Sequence, residues 1–180
     1  MNDQLDSIEK KVGRDFESPP LHLWDPPLSG DIDIRIDKTG RWIHEGVEIK
    51  RDSIVRLFAS ILRREDDLEY YLVTPGEKWR IQVDALPLIV VDVDRQAPGT
   101  SETVIEVTLN TGKKLHLGAH HRLYLEEVHD NIAAVRLNHG LTALFARSAW
   151  YRLVEMTEQK QGRACIVSAG EIFPLEAQVK

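Results

Sequence analysis

The residues best suited to chemistry gather around one turn. A strand-like run from Tyr71 ends at Thr74-Pro75-Gly76, and Glu77, Lys78 and Trp79 follow at once. A hydroxyl, a carboxylate, an ammonium and an indole so close in sequence suit the holding of an anionic or aromatic ligand. Lys78 would neutralise a phosphate or carboxylate, Glu77 would accept a hydrogen bond from a base or hydroxyl, and Trp79 or Trp42 would stack. Arg35 or Arg51 would add a bidentate fork. The plain alternative is a capped turn with an exposed Glu77–Lys78 pair, which contributes little.

Other candidates carry less chemistry. Asp31-x-Asp33 has the spacing of two calcium ligands, but isoleucines fill the gaps and Arg35 stands where a third oxygen is needed. The expected reading is the charged face of a strand, with Arg35 neutralising its neighbours. His116, His120 and His121 lie in strand and turn patterning that does not place them as a zinc set. Cys165 sits in an apolar strand-like run, so an inert buried thiol is expected. The chain has no phosphate-loop, dinucleotide-binding, zinc-protease or serine-hydrolase signature. No metal, cofactor or catalytic residue is assigned.

These residues need a scaffold, and hydrophobic periodicity describes one. Ile32, Ile34 and Ile36 alternate with Asp31, Asp33 and Arg35 at the period of a half-buried strand. Lys38-Thr39-Gly40 turns the chain into a second strand through Trp42 and His44. Ile54, Leu57, Phe58, Ile61 and Leu62 share one helical face, with Asp52 or Ser53 as N-cap. Strands are expected over 69–74, 79–83 and 88–94. Before all this, Leu5, Ile8 and Val12 could share a short helical face. The prolines at 19, 20, 26 and 27 then forbid regular structure, and Trp24 between them would pin an arm to the core.

The second half echoes the first. Ile105, Val107 and Leu109 alternate as the isoleucines do, and Gly112 through His116 repeats Gly40 through His44. Leu144-Phe145-Ala146 echoes Leu57-Phe58-Ala59, and Tyr151 to Val154 loosely echoes Tyr70 to Val73. This sets a register of Gly40 onto Gly112 and Leu57 onto Leu144, with an added hairpin near 122–128 and 132–137 turning at His129-Asp130-Asn131. The polar stretch 95–101 is the expected boundary. The organisation is an arm over 1–29, an α+β subdomain over 30–96 and a β-rich subdomain over 97–180, related by internal duplication, each with a sheet and one main helix.

Composition narrows the class. With 42% hydrophobic and 29% charged residues the chain is globular, and its one cysteine excludes an intramolecular disulfide. A net charge of −6 argues against general binding to nucleic acid or anionic membranes. The N-terminus lacks the order of a signal peptide, and no apolar run approaches the ~18 residues of a membrane span. A cytoplasmic protein is expected.

Several runs together resemble a known bacterial family. They are Gly30 through Arg35, Gly40-x-Trp42, Arg51 through Ala59, Leu62-Arg-Arg64, Tyr71 through Lys78 and Ile81 through Ala85, with the flanking Pro19 through Pro27, Tyr151-x-Leu-Val and Gly170-x-x-Phe173-Pro174-Leu175. The family is the uncharacterised domain of unknown function 1285. The resemblance implies two duplicated β-rich subdomains, the C-terminal one similar to a pleckstrin-homology-like barrel. It also implies a nucleotide-like ligand at the subdomain interface and a role in signalling. The leading expectation is a non-catalytic ligand-binding or regulatory protein, taking a small anion in a cleft between the halves. The alternative is a protein-interaction module that receives a partner on an exposed edge of the C-terminal sheet, and a hydrolase or transferase using Asp31, Asp33 and the histidines stands third.

Overall fold

The computed structural model describes residues 8, 19–97, 99, 103–127 and 131–175. Two compact units emerge: Met1–Pro87 with Asn138–Leu141, and Leu88–Leu137 with Thr142–Lys180. Of the expected N-terminal helical face, Leu5 and Val12 lie outside the described residues. Ile8 is helical and 1% exposed.

The alternating isoleucines build the first unit as expected. In β1 (Leu28–Ile36), Ile32, Ile34 and Ile36 are buried while Asp31, Asp33 and Arg35 face out. β2 (Trp42–His44) and β3 (Val47–Glu48) follow, then α1 (Asp52–Ser60), β4 (Leu62–Arg64), β5 (Tyr70–Val73) and β6 (Lys78–Val83). The sheet runs β3-β2-β1-β6-β5-β4. Its first and last long strands, β1 and β6, pair in parallel, and every other pair is antiparallel. All five apolar residues of the predicted helical face are buried. Helix α1 nevertheless ends at Ser60, whose hydroxyl donates to the Leu57 carbonyl, and Leu62 opens β4. The cap position falls on Arg51, which makes no side-chain cap bond.

The second unit contains β7 (Leu88–Gln96), β8 (Val104–Leu109), β9 (Lys114–His116), β10 (Leu123–Glu126), β11 (Ile132–Arg136) and β12 (Thr142–Phe145). Helix α2 (Arg147–Glu155) comes next, followed by a three-stranded antiparallel sheet of β13 (Glu158–Lys160), β14 (Arg163–Ser168) and β15 (Glu171–Pro174). The six-stranded sheet is ordered β10-β11-β12-β7-β8-β9, with β7 and β12 parallel. Read from β9, this is the strand order and direction pattern of the first sheet. The chain is therefore α+β with two mixed six-stranded sheets and a helix in each unit. No ladder among the described residues closes either sheet into a barrel.

The residue-level register differs from the one expected. Gly40 turns β1 into β2, whereas Gly112 turns β8 into β9, one hairpin later in the order. The two turns are chemically alike. Asp37 and Leu109 donate their N–H to the carbonyls of Arg41 and Lys113, and Gly40 and Gly112 donate back to the carbonyls of Asp37 and Leu109. The shared motif thus records a turn type and not a position. Leu57 lies in α1 but Leu144 lies in β12, and the stretch from Tyr151 is helical, not a strand. His44 is 9% exposed, while the His116 side chain is 58% exposed.

The boundary also moves. Residues 95–101 include the end of β7 and the start of its connection to β8, inside the second unit, and the units divide between Pro87 and Leu88. Hairpin loops and linkers share polar, turn-rich composition, so composition alone does not separate them.

Candidate functional site

Thr74 is fully buried and committed to its own turn. Its N–H donates to the Glu77 carbonyl (2.9 Å), and its hydroxyl oxygen accepts from the Glu77 N–H (3.1 Å). The turn launches β6, where successive side chains must leave on opposite faces. This splits the group that the sequence placed together. Trp79 goes to one face, where its indole N–H donates to Glu77 Oε2 (3.4 Å) and its ring lies over Gly30, whose φ of +137° is glycine backbone. Lys78 goes to the other.

On that other face a polar cluster forms. Lys78 Nζ donates to both oxygens of Glu65 (3.2 and 2.9 Å) and stands 5.1 Å from the centre of the Tyr71 ring. Arg63 donates to Glu65 Oε1 through Nε (3.1 Å) and Nη2. Its Nη1 reaches the carbonyls of Trp24 (2.8 Å) and Leu21 (3.5 Å). The Lys78 and Arg63 side chains are only 15% and 16% exposed. Burial pushes the Glu65 carboxyl upward, but the hydrogen bonds from Lys78 and Arg63 prevail and hold it below the usual carboxylate range. Tyr71 donates its hydroxyl to Asp67 Oδ2 (2.6 Å), and that carboxylate, helped by burial, pushes the phenol up to about 12.

The arm meets the same place. Leu21, in a single 3-10 turn (Leu21–Leu23), is 2% exposed and packs with Tyr71 and Val73, while Trp24 lies half-buried against them. Trp24 thus pins the arm to the sheet.

The remaining candidates lie elsewhere. Arg35 forks onto Asp84 (2.8 and 2.5 Å), and Arg80 forks onto Asp31 (2.8 and 2.9 Å). Arg35 therefore reaches across to Asp84, just past the end of β6, and Asp31 is paired by Arg80 of β6, so Arg35 does not serve the carboxylates along its own strand. Asp84 follows the end of β6, six residues beyond Lys78 and roughly 20 Å along extended chain, too far for one phosphate to touch both. Arg51 lies at the start of α1 with Nε donating to Ser53 Oγ (3.2 Å). Trp42 is 1% exposed and packs on Phe58 with ring centres 5.9 Å apart, so it belongs to the core and presents no stacking face to a ligand. The partner of Trp42 across the ladder is Ile36 of β1, so both side chains leave on the buried face of the sheet.

Among the described residues no three His, Cys, Asp or Glu side chains gather as metal ligands. Burial draws the His121 pKa down, and its Nδ1 lies 3.3 Å from the His116 carbonyl. Cys165 is 2% exposed. Arg63 and Glu65 were missed as site residues from sequence, where Glu65 reads as part of a solvated acidic loop. The usable signal was Arg63-x-Glu65 at strand spacing directly after an amphipathic helix.

Two family models together match most of the chain: the N-terminal domain of the domain of unknown function DUF1285 over residues 19–86, and the C-terminal domain of DUF1285 over residues 87–175. The chain belongs to the DUF1285 family. Among solved structures it is similar to a DUF1285 protein from Silicibacter pomeroyi DSS-3, at 36% identity and a TM-score of 0.85, over 99% of this chain and 97% of that one. It is also similar to a DUF1285 protein from Shewanella baltica OS155, at 30% identity and a TM-score of 0.54, over 69% of this chain and 91% of that one. No curated protein matches. The two DUF1285 domain models meet between residues 86 and 87, next to the division between the compact units. No helix among the described residues of this DUF1285 chain is long and apolar enough to cross a membrane.

Proposed function

We propose that this DUF1285 protein is a non-catalytic ligand-binding protein with a regulatory role in signalling, and that its first unit takes a nucleotide-like anionic small molecule at Lys78. The observation that carries this reading is the sheltered ammonium of Lys78, held over the Tyr71 ring and paired with the carboxylate of Glu65. Much of the cost of taking that cation from water is already met within the fold. A ligand phosphate or carboxylate that displaces Glu65 inherits formed donors, and a phosphate brings more charge than the group it replaces. Thr74 and Glu77 then act by fixing the turn from which Lys78 projects. Arg35, Arg51 and Trp42 fall outside this version of the site.

The scaffold belongs to the same reading. The shared order of the two six-stranded sheets supports an internal duplication, with the second unit as the pleckstrin-homology-like member implied by the family resemblance. A thermal-shift screen of nucleotides tests the ligand. A specific ligand raises the melting temperature by mass action, and Lys78→Ala abolishes the rise. If no nucleotide shifts the wild-type protein at millimolar concentration, the nucleotide reading fails.

A second reading is a protein-interaction module. It is favoured by β9 and β10, the outer strands of the second six-stranded sheet, whose outer edges carry no ladder among the described residues and can accept a partner strand. Affinity capture on the native protein tests it, and proline substitutions in β10 should abolish recovery of the partner.

A further inference from the structure

The arm and the candidate anion site share one side chain. Arg63 presents two edges: Nε and Nη2 donate to Glu65, and Nη1 donates to the carbonyls of Trp24 and Leu21. A guanidinium is planar and rigid, so an anion fixed on the first edge aims the second. We propose that residues 19–27 are a latch over the Lys78 site, closed by whichever anion occupies the Nε/Nη2 edge of Arg63. Glu65 holds the latch in the unliganded protein, and a bound phosphate or carboxylate holds it in the liganded one. The inference rests on the reading of Lys78 as an anion site.

The construction of the arm suits this role. None of residues 19–27 joins a strand ladder; Leu21 and the half-buried Trp24 indole pack on Tyr71 and Val73, and Pro26, at the base of the arm, is buried. Tyr71 is also the ring beneath Lys78, so arm and ligand share a floor as well as a guanidinium. Pro26 and Pro27 bridge the arm to β1 and hold the intervening backbone extended, which limits the arm to a lifting motion about a short hinge. Asp25, whose carboxylate lies 3.9 Å from Arg63 Nη2, is 94% exposed and competes weakly through solvent. Main-chain carbonyls as the receiving groups make the latch insensitive to most side-chain changes in the arm.

Coupling of this kind is reciprocal: an anion that closes the arm is itself held more tightly by the closed arm. The test uses the full chain and follows chymotryptic cleavage at Leu23 and Trp24 by mass spectrometry, with Leu21→Ala as the reference for an undocked arm. Glu65→Ala should raise the cleavage rate about tenfold, the scale of one lost charge-assisted hydrogen bond. Inorganic phosphate at millimolar concentration should restore protection. Arg63→Lys keeps the charge but loses the two-edged fork, so its arm should be cleaved fast with phosphate or without it. If Glu65→Ala does not fold, Glu65→Gln serves in its place, because it keeps the shape and removes the charge. An arm as protected in Glu65→Ala as in wild type overturns the latch. So does equal rescue of Arg63→Lys, which would put the phosphate elsewhere. Calorimetric titration of phosphate into Glu65→Ala separates the two ideas. Binding without protection sinks the latch and leaves the anion site standing, whereas no binding sinks both.

Discussion

The two six-stranded sheets run in the same order with the same directions, yet their helices enter at different points. In the first unit α1 lies between the third and fourth strands; in the second, the corresponding connection is residues 117–122 without a helix, and α2 follows the sixth strand. In both units an apolar helical face meets the sheet: Phe58 on Trp42 in the first, Ala149 and Leu153 buried in the α2 that packs on β7 and β12 in the second. Strand order and helix placement are thus separable. A sheet needs its inner face covered, and any amphipathic segment of suitable length that can reach it serves.

The sharpest way to break the comparison is to remove the covers. Phe58→Ala should cost about 3–5 kcal/mol, against about 2–5 kcal/mol for Leu153→Ala, both read by urea unfolding. A loss below ~1 kcal/mol at either site would mean that the helix is not a cover. Next comes the loop that completes the first unit from distant sequence. Gly140 has a φ of +70°, and a Cβ there would sit 2.7 Å from the Arg64 carbonyl oxygen, while Arg64 donates its N–H to His139. Gly140→Ala should cost about 1–3 kcal/mol by the same measurement. A smaller effect belongs to the second unit alone. The buried Ser168 hydroxyl accepts from the Ile105 N–H (2.8 Å) and donates to the Leu117 carbonyl (2.7 Å), so Ser168→Ala should cost about 1–2 kcal/mol and leave the arm's protease protection unchanged.

Charge pairs on the first sheet give the smallest effects and a pH test. The Glu65 carboxyl is depressed in the folded state, so its contribution is present above its ordinary pKa and fades as pH falls through the lower folded value. Arm protection should therefore persist to lower pH than an unperturbed carboxylate would allow and be lost only in stronger acid. Asp37 behaves in the same direction: burial opposes its charge, but donors from Thr39 and Arg41 outweigh burial. By contrast Arg35→Gln removes a solvent-screened pair, and its thermal midpoint should match the wild type.

Local pattern made much of the fold legible. Ile32, Ile34 and Ile36 announced β1, the apolar set from Ile54 announced α1, and the strands expected over 69–74, 79–83 and 88–94 are β5, β6 and β7, with ends that differ by one or two residues. Errors arose where a local pattern has two meanings. Leu62 fits the helical face by spacing but begins a strand, and Leu144-Phe145 copies helical residues by identity while alternating in β12. The turn at Thr74 was legible as a turn, but the split of Lys78 from Trp79 follows from strand alternation. The site itself was less legible: Arg63-x-Glu65 is a local pair, but Lys78 on Glu65 and the arm carbonyls on Arg63 join residues 13, 39 and 42 apart in sequence, and no local period encodes such pairs.

The parallel pairing of β1 with β6, and the membership of Asn138–Leu141 in the first unit, bear on how the chain folds as it is made. Hairpins alone cannot complete either sheet, since its first and last strands must meet across all that lies between, and such non-local closure slows folding. The first unit also waits for a loop that leaves the ribosome only after most of the second sheet. Its Arg64 edge therefore stays unsealed through much of synthesis, the interval in which a nascent chain is most open to mispairing and to chaperones.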